Sequence, residues 1–322
     1  MNVLVTGGLG FVGSAVVQEL RQANHRVTIL TRRAVSGHSS SEITLVQGDV
    51  TVADGVNHLI NKEGFDGICH LAGLTGIRDS FARPANFFDV NVGGTVNLLK
   101  AVRTRYDRTG IATPIVFASS RAVYADTFDM PVSEAHPATP TTPYGLTKRV
   151  VEQLLGFESS LKVTGAVALR CFNISGGAPG IVDTDTQRLI PRLVGALAGN
   201  LPPPPLASGR SQLDLVHVID VGRAFAKALD HAAPGDFHIY NVGSGATTSL
   251  EEVISLLEHS AGRMIPRGTG VSVKYSNYGA VAADISMIRD DLGWAPTLDV
   301  QTIMHDAWTY AEAGSSQRES LL

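Results

Sequence analysis

Short apolar runs alternate with amphipathic stretches through the first half of the chain. Val3–Val5, Val27–Leu30, Ile43–Gln47, Gly67–His70, Ile115–Phe117 and Val167–Leu169 are rich in β-branched and aliphatic residues and read as strands. Between them, Gly13–Gln22, Val52–Ile60, Asn86–Arg103 and Tyr144–Phe157 carry apolar positions at helical spacing. This alternation predicts βαβ units, and so an α/β fold built on a doubly wound parallel sheet.

After Phe172 the pattern loosens. Gly176–Gly180 reads as a loop and Thr186–Ala198 as a helix, while Pro202–Pro205 suits an extended surface segment. Leu215–Val218 and His238–Val242 read as strands, and Ile219–Asp230, Leu250–Gly262 and Val300–Ala313 as helices. The expected division is a dinucleotide-binding domain over 1–172, to which 215–243 returns. A smaller α/β substrate domain takes 173–214 and 244–314, and 315–322 is expected to fray.

Composition narrows the class. Across 322 residues, 44% are hydrophobic and the net charge is -4, with no basic stripe that would suit a nucleic acid. No apolar run reaches the ~18 residues that span a bilayer, and the start carries no signal-peptide pattern. A cytoplasmic protein is expected. Cys69 and Cys171, both in apolar runs, read as buried inert thiols, and no metal-ligand spacing occurs.

Candidate chemistry starts at Thr6-Gly7-Gly8-Leu9-Gly10-Phe11-Val12-Gly13, placed between the first strand and the first helix. There, glycines let the backbone approach a pyrophosphate while the helix N-terminus supplies N–H donors, as in a Rossmann-type fold. Gly7, Gly10, Phe11, Val12 and Gly13 are thus candidate cofactor contacts. The second strand ends in Leu30-Thr31-Arg32-Arg33, without the carboxylate that would accept a ribose 2′-OH. Arg32 and Arg33 suit a 2′-phosphate and lean the cofactor from NAD towards NADP; alternatively they only solvate a loop.

Tyr144 and Lys148 lie four apart at the start of a helix, on one face. The lysine is expected to lower the phenol pKa, which makes Tyr144 the acid or base. Ser120, at the end of an earlier strand, can bond the reacting oxygen.

Together these motifs resemble the extended short-chain dehydrogenase/reductase family across nearly the whole chain. The resemblance implies further cofactor contacts at Asp49 and Val50 in Gly48-Asp49-Val50, at Leu71, Ala72 and Gly73, at Asn91, and at Ser119, Tyr144 and Lys148. Leu292-Gly293-Trp294-x-Pro296 reads as a packing element, and His70 and His217 as structural. His70-Leu71-Ala72-Gly73-Leu74 and Leu169-Arg170-Cys171-Phe172-Asn173-Ile174-Ser175-Gly176 are similar to the UDP-galactose 4-epimerase type. That branch implies an NAD(P)-dependent epimerase of a small-molecule nucleotide sugar, acting at C4 through a transient ketone, with Thr75, Ser120, Tyr144 and Asn173 on the substrate. It also implies a homodimer formed through Asn86–Arg103 and Tyr144–Phe157.

The chain departs from that branch where the diphosphate is gripped. Leu213-Asp214 replaces the usual Arg-Asp, and Lys274 replaces a second arginine, without the bidentate fork. Arg210 is the candidate to compensate. Thr75 stands where a lysine is common. Arg121-Ala122 after Ser120 lacks the acid pair of the 4,6-dehydratases. The alternatives are an NADPH-dependent reductase of a keto-sugar nucleotide or related ketone, favoured by Arg32 and Arg33, and an inert dinucleotide sensor.

Overall fold

A computed structural model describes residues 1–34, 43–124, 130–202, 212–265 and 281–319. In chain order, β1 (Asn2–Thr6), α1 (Phe11–Gln22), β2 (Arg26–Thr31), β3 (Ile43–Gln47), α2 (Ala53–Glu63) and β4 (Gly67–His70) come first. Then follow α3 (Ile77–Ala82), α4 (Pro84–Phe87), a π-helical turn Phe88–Gly93, α5 (Gly94–Thr109), β5 (Ile115–Ser120), a short turn Arg121–Val123, α6 (Pro143–Ser160) and β6 (Ala166–Cys171). The second half holds β7 (Asn173–Ser175), β8 (Gly177–Ala178), β9 (Ile181–Val182), α7 (Leu189–Leu197), β10 (Gln212–Leu213), β11 (Leu215–His217) and α8 (Val218–His231). It ends with β12 (Phe237–Val242), β13 (Thr248–Ser249), α9 (Leu250–Ala261), α10 (Ser286–Leu292) and α11 (Val300–Glu319).

Seven strands form one parallel sheet in the order β12-β6-β5-β4-β1-β2-β3. The expected doubly wound sheet is therefore present. Its strands are apolar on both faces because helices cover both. Val3 and Val5 face a core shared with Val16, Leu20, Val221 and Phe225 of α1 and α8. Leu4, between them, faces Ile60, Leu98, Val102 and Leu155 of α2, α5 and α6. A third core, of Leu193, Leu197, Val253, Leu257, Ile303 and Trp308, joins α7, α9 and α11. The chain order reverses between β1 and β4, so the carboxyl ends of these two strands open the crevice where such sheets bind ligands.

Four features differ from the sequence reading. The strand at 215 pairs with β7 rather than joining the large sheet, and Val218 already belongs to α8. The helix expected over Asn86–Arg103 is broken by the π-helical turn. The helix expected from Thr186 starts only at Leu189. The final helix, expected over Val300–Ala313, has bounds of Val300–Glu319. Prolines 203–205, Arg210 and Lys274 lie outside the described residues. Among the described residues, no helix is long and apolar enough to cross a membrane.

The packing element is explained by Asp220 in the first turn of α8. Its carboxylate accepts from the Thr297 and Leu298 amides at 3.1 and 3.2 Å and pairs with Arg223. Its own carbonyl accepts from Trp294 Nε1 at 2.9 Å.

Candidate active site

The glycine turn is shaped by what its residues cannot carry. Gly7 has φ +74°, and a Cβ there would stand 2.8 Å from Ala72 N, so the turn packs on the loop after β4. A Cβ on Gly13 would stand 2.1 Å from Gly7 O. Gly10 begins α1 without a side-chain cap, so no side chain occupies the N–H groups of that first turn.

A polar relay behind this turn holds the two central strands. Thr95 Oγ1 donates to Asn91 O at 2.6 Å, so it accepts from His70 Nε2 at 3.0 Å. His70 Nδ1 then accepts from Thr6 Oγ1 at 2.7 Å, and Thr6 Oγ1 accepts from Ala72 N at 3.1 Å. This requires a neutral imidazole. Burial, reinforced by the nearby Lys148 charge, pushes His70 down to about 3. His217 is structural too: its Nδ1 caps α8 by accepting from Ile219 N at 3.1 Å. Its Nε2 lies 3.3 Å from Asp306 Oδ2.

Asn91 sits in the π-helical turn, almost fully buried. Its amide donates to Leu74 O and Thr147 Oγ1 at 3.0 Å each, and its Oδ1 accepts from Leu74 N at 2.7 Å. Expected among the cofactor contacts, Asn91 instead spends its side chain tying the post-β4 loop to α6. It does not line the cleft.

Helix α6 is started by Thr142, whose hydroxyl accepts from Gly145 N at 2.9 Å, followed by Pro143. A Cβ on Gly145 would stand 2.0 Å from Ala122 O, so the helix start lies against the turn that follows Ser120. That contact brings Tyr144 to Ser120. The phenol is held above its ordinary range, not below it as expected. Burial outweighs the Ser120 hydrogen bond and the Arg188 charge, which pull it down. Lys148 turns its ammonium to Ala118 O at 2.8 Å, with Nζ 4.7 Å from the Phe117 ring centre and 5.8 Å from that of Tyr144. Burial pulls Lys148 down to about 8.

A cleft of about 930 Å³ joins these parts. Gly7, Gly10, Phe11, Val12, Gly13, Arg32, Arg33, Asp49 and Val50 line one end. Leu71, Ala72, Gly73, Thr75, Ser119, Ser120, Tyr144 and Lys148 line its middle, and Asn173 and Leu213 its far end. Asn173 Nδ2 donates to Asp214 O at 2.9 Å, which ties β7 to the segment before β11. The sequence reading missed Arg188 as a site residue. It lines the far end, braced by Asp183 at 3.2 Å and Asp185 at 3.4 Å. Its signal was present, a cation directly before the apolar start of α7.

The sequence model of the NAD dependent epimerase/dehydratase family matches residues 3–243. A UDP-glucose 4-epimerase of Streptomyces lividans is 30% identical, over 95% of this chain and 95% of that one. Among solved structures, a UDP-glucose-4-epimerase from Stenotrophomonas maltophila, with bound NAD and formylated UDP-arabinopyranose, matches with a TM-score of 0.88. It is 29% identical and covers 98% of this chain and 99% of that one. A UDP-glucose 4-epimerase from Brucella ovis in complex with NAD matches at 0.82 and 28% identity, over 95% and 97% of the two chains.

Proposed function

The chain belongs to the NAD dependent epimerase/dehydratase family, and from that premise we propose that it is a sugar-nucleotide epimerase inverting one carbinol carbon, at C4, through a transient ketone. The carrying observation is the placement of Ser120, Tyr144 and Lys148 midway along one cleft, between the glycine turn and Asn173.

The residues fit a dinucleotide. Gly7 and Gly13 stand where a Cβ would collide with the backbone of the loop after β4 and of the turn itself, so the tight turn needs glycine there, and the uncapped start of α1 offers its N–H donors. Bound nicotinamide supplies reversible acceptance of a hydride. Tyr144 takes the proton from the sugar hydroxyl, and Ser120 holds the same oxygen by a hydrogen bond. Tyr144 must be a phenolate to take that proton and becomes one again when it returns it, and the Lys148 ammonium, anchored on Ala118 O, keeps positive charge beside it in that form. The ketone then turns within the cleft, and Tyr144 returns the proton as the other face is reduced. Asn173, Thr75 and Arg188 are the proposed contacts of the nucleotide and sugar; Arg188 lines the same cleft as Leu213, where a cation is expected.

NAD is the proposed cofactor, supported by the NAD named in both structural relatives. The NADP lean rests on Arg32 and Arg33 alone, which are exposed at the cleft's rim, and the relatives lend it no support. The same two arginines favour the second reading, an NADPH-consuming reductase. We further propose a homodimer through α5 and α6, supported by exposed apolar side chains at Leu146 and Phe157 of α6 and at Leu161, which caps it; they are 43%, 71% and 57% exposed.

Denaturing the purified protein and identifying the released cofactor tests the main reading, together with turnover of UDP-galactose and other UDP-sugars. Retained NAD and inversion without net cofactor consumption support the epimerase. Stoichiometric NADPH oxidation on a keto-sugar nucleotide overturns it in favour of the reductase. Light scattering of Phe157→Glu tests the dimer, which is expected to dissociate.

A further inference from the structure

Behind the cleft lies a buried ionic row that the proton-transfer step does not itself use. Ser119, Arg170 and Asn241 are register partners across β5, β6 and β12. Ser119 and Arg170 immediately precede Ser120 and Cys171, which line the cleft. Glu152 of α6 closes the row, one turn beyond Lys148. Its Oε1 accepts from Ser119 Oγ at 2.6 Å and Arg170 Nε at 2.8 Å. Its Oε2 accepts from Arg170 Nη2 at 2.8 Å and Arg149 Nη1 at 3.2 Å. Arg170 Nη1 donates to Tyr124 Oη at 2.8 Å, which donates to Asn241 Oδ1 at 2.8 Å.

Glu152 is fully buried and Arg170 is 2% exposed. A buried ion pair rarely adds stability over apolar residues of the same size. Its position therefore calls for another account, and geometry offers one. The carboxylate is fixed from two strands, through Ser119 and Arg170, and stands one helical turn beyond Lys148.

We propose that Glu152 is a positioning residue for the proton-transfer pair, locked by Arg170 and Ser119 so that a fixed negative charge stands behind the Lys148 ammonium and the Ser120 strand end stays in register with α6. This rests on the proposed proton-transfer role of Tyr144 and Lys148.

The groups around Lys148 isolate the effect. From its own helix come Tyr144 and Glu152. From β6 comes the Cys171 thiol, which burial pushes up to about 12. From β4 comes neutral His70. β5 offers the Ala118 carbonyl and the Phe117 ring. The Cys171 thiol is neutral where Lys148 titrates, so Glu152 is the charged group among them that opposes the burial driving Lys148 to lose its proton.

The test uses the intact chain as Glu152→Gln, Glu152→Asp and the charge-neutral double variant Glu152→Gln/Arg170→Met. Two readouts are taken: the pH dependence of Lys148 acylation by acetic anhydride, quantified by mass spectrometry, and the pH profile of epimerase kcat. In Glu152→Gln the Lys148 labelling midpoint and the alkaline limb of kcat are expected to move to lower pH. Activity at alkaline pH then falls roughly tenfold for each unit moved, with KM for the nucleotide sugar little changed. Glu152→Asp is expected to restore part of the shift. The double variant leaves no unpaired buried charge, so it is expected to regain thermal stability while both midpoints stay shifted; it carries the test if the single variant does not fold. A labelling midpoint unmoved in the double variant overturns the proposal, whatever the reaction proves to be. A midpoint that moves in a protein without epimerase activity supports the electrostatic assignment and instead counts against the proposed function.

Discussion

Lys148 donates to the Ala118 carbonyl at 2.8 Å, so its ammonium is fastened to the strand that ends in Ser120 rather than to the phenol one helical turn before it. The shared helix face brings the two residues together, but the strand end decides where the charge rests. Buried there, Lys148 is pulled down to about 8. A base with a lowered pKa loses its charge earlier as pH rises. Epimerase kcat is therefore expected to fall as pH rises through about 8, the value set by burial of Lys148. Lys148→Arg keeps its charge at any such pH, and its slower turnover is expected to lack that limb. Parallel kcat profiles of the two proteins check this.

Tyr144 is the proton carrier in this scheme, and its phenol is raised by burial. Tyr144→Phe leaves the ring, its edge contact with Phe87 and the fold in place, but removes the transferable proton. Turnover is expected to drop by about 10²–10⁴, with dinucleotide binding retained. Equal turnover in the variant assigns the proton to another group.

The glycines of the turn are not equivalent. A methyl at Gly13 would stand 2.1 Å from the Gly7 carbonyl, whereas one at Gly10 meets the same carbonyl at 3.3 Å and nothing else close. Gly13→Ala is expected to displace the start of α1 and abolish dinucleotide binding. Gly10→Ala is expected to weaken it only modestly. Calorimetric titration with NAD separates the two.

Much of this arrangement was legible in the chain. Strands buried on both faces announce themselves as unbroken apolar runs, and the glycine turn stands in the strand–turn–helix context that gives it meaning. What escaped was tertiary in origin. The π-helical turn over Phe88–Gly93 has the apolar spacing of an ordinary helix, and nothing in that spacing shows the long-range bonds of Asn91 to Leu74 and Thr147. β7 and β11 are three residues each, and their pairing depends on Asn173 and Asp214 meeting across about forty residues. Glu152 and Arg170 look like ordinary charges in sequence. The pairing of β5 with β6, and the packing of α6 over them, make the two one buried pair. The direction of the Tyr144 shift was missed because helix spacing shows a neighbouring charge but not how thoroughly the cleft excludes water.

His70 couples this core to pH. Its relay requires the neutral ring, and burial pushes its folded value down to about 3, against an ordinary ~6.5 in the unfolded chain. Between those values the unfolded chain holds the extra proton, so folding stability rises with pH through that window. The contribution is complete above about 6.5 and is lost progressively as pH falls towards 3. Urea midpoints are expected to drop on mild acidification in the wild type. They are expected to drop less in His70→Asn, which starts less stable but carries no titrating group at this site.

Asp214 links the stability of the second half to substrate affinity. Its carboxylate accepts from the amides of Ser244, Gly245 and Ala283 and from the Ser244 hydroxyl. Its own carbonyl accepts from the Asn173 amide and side chain at 3.1 and 2.9 Å. One buried residue thus gathers the segments on both sides of the far end of the cleft, directly beside Leu213, its carboxylate holding 244–245 and 283 and its carbonyl holding Asn173. Asp214→Ala would leave three amides without their acceptor, a cost of about 3 kcal/mol or more. Asp214→Asn keeps the size and one acceptor oxygen and is expected to cost about half as much. Because Tyr144, Lys148 and the glycine turn are held by other elements, the damage is expected to fall on KM for the nucleotide sugar, with kcat and NAD affinity little changed. A variant that lost kcat while keeping KM would show that Asp214 serves the reacting carbon rather than the nucleotide end.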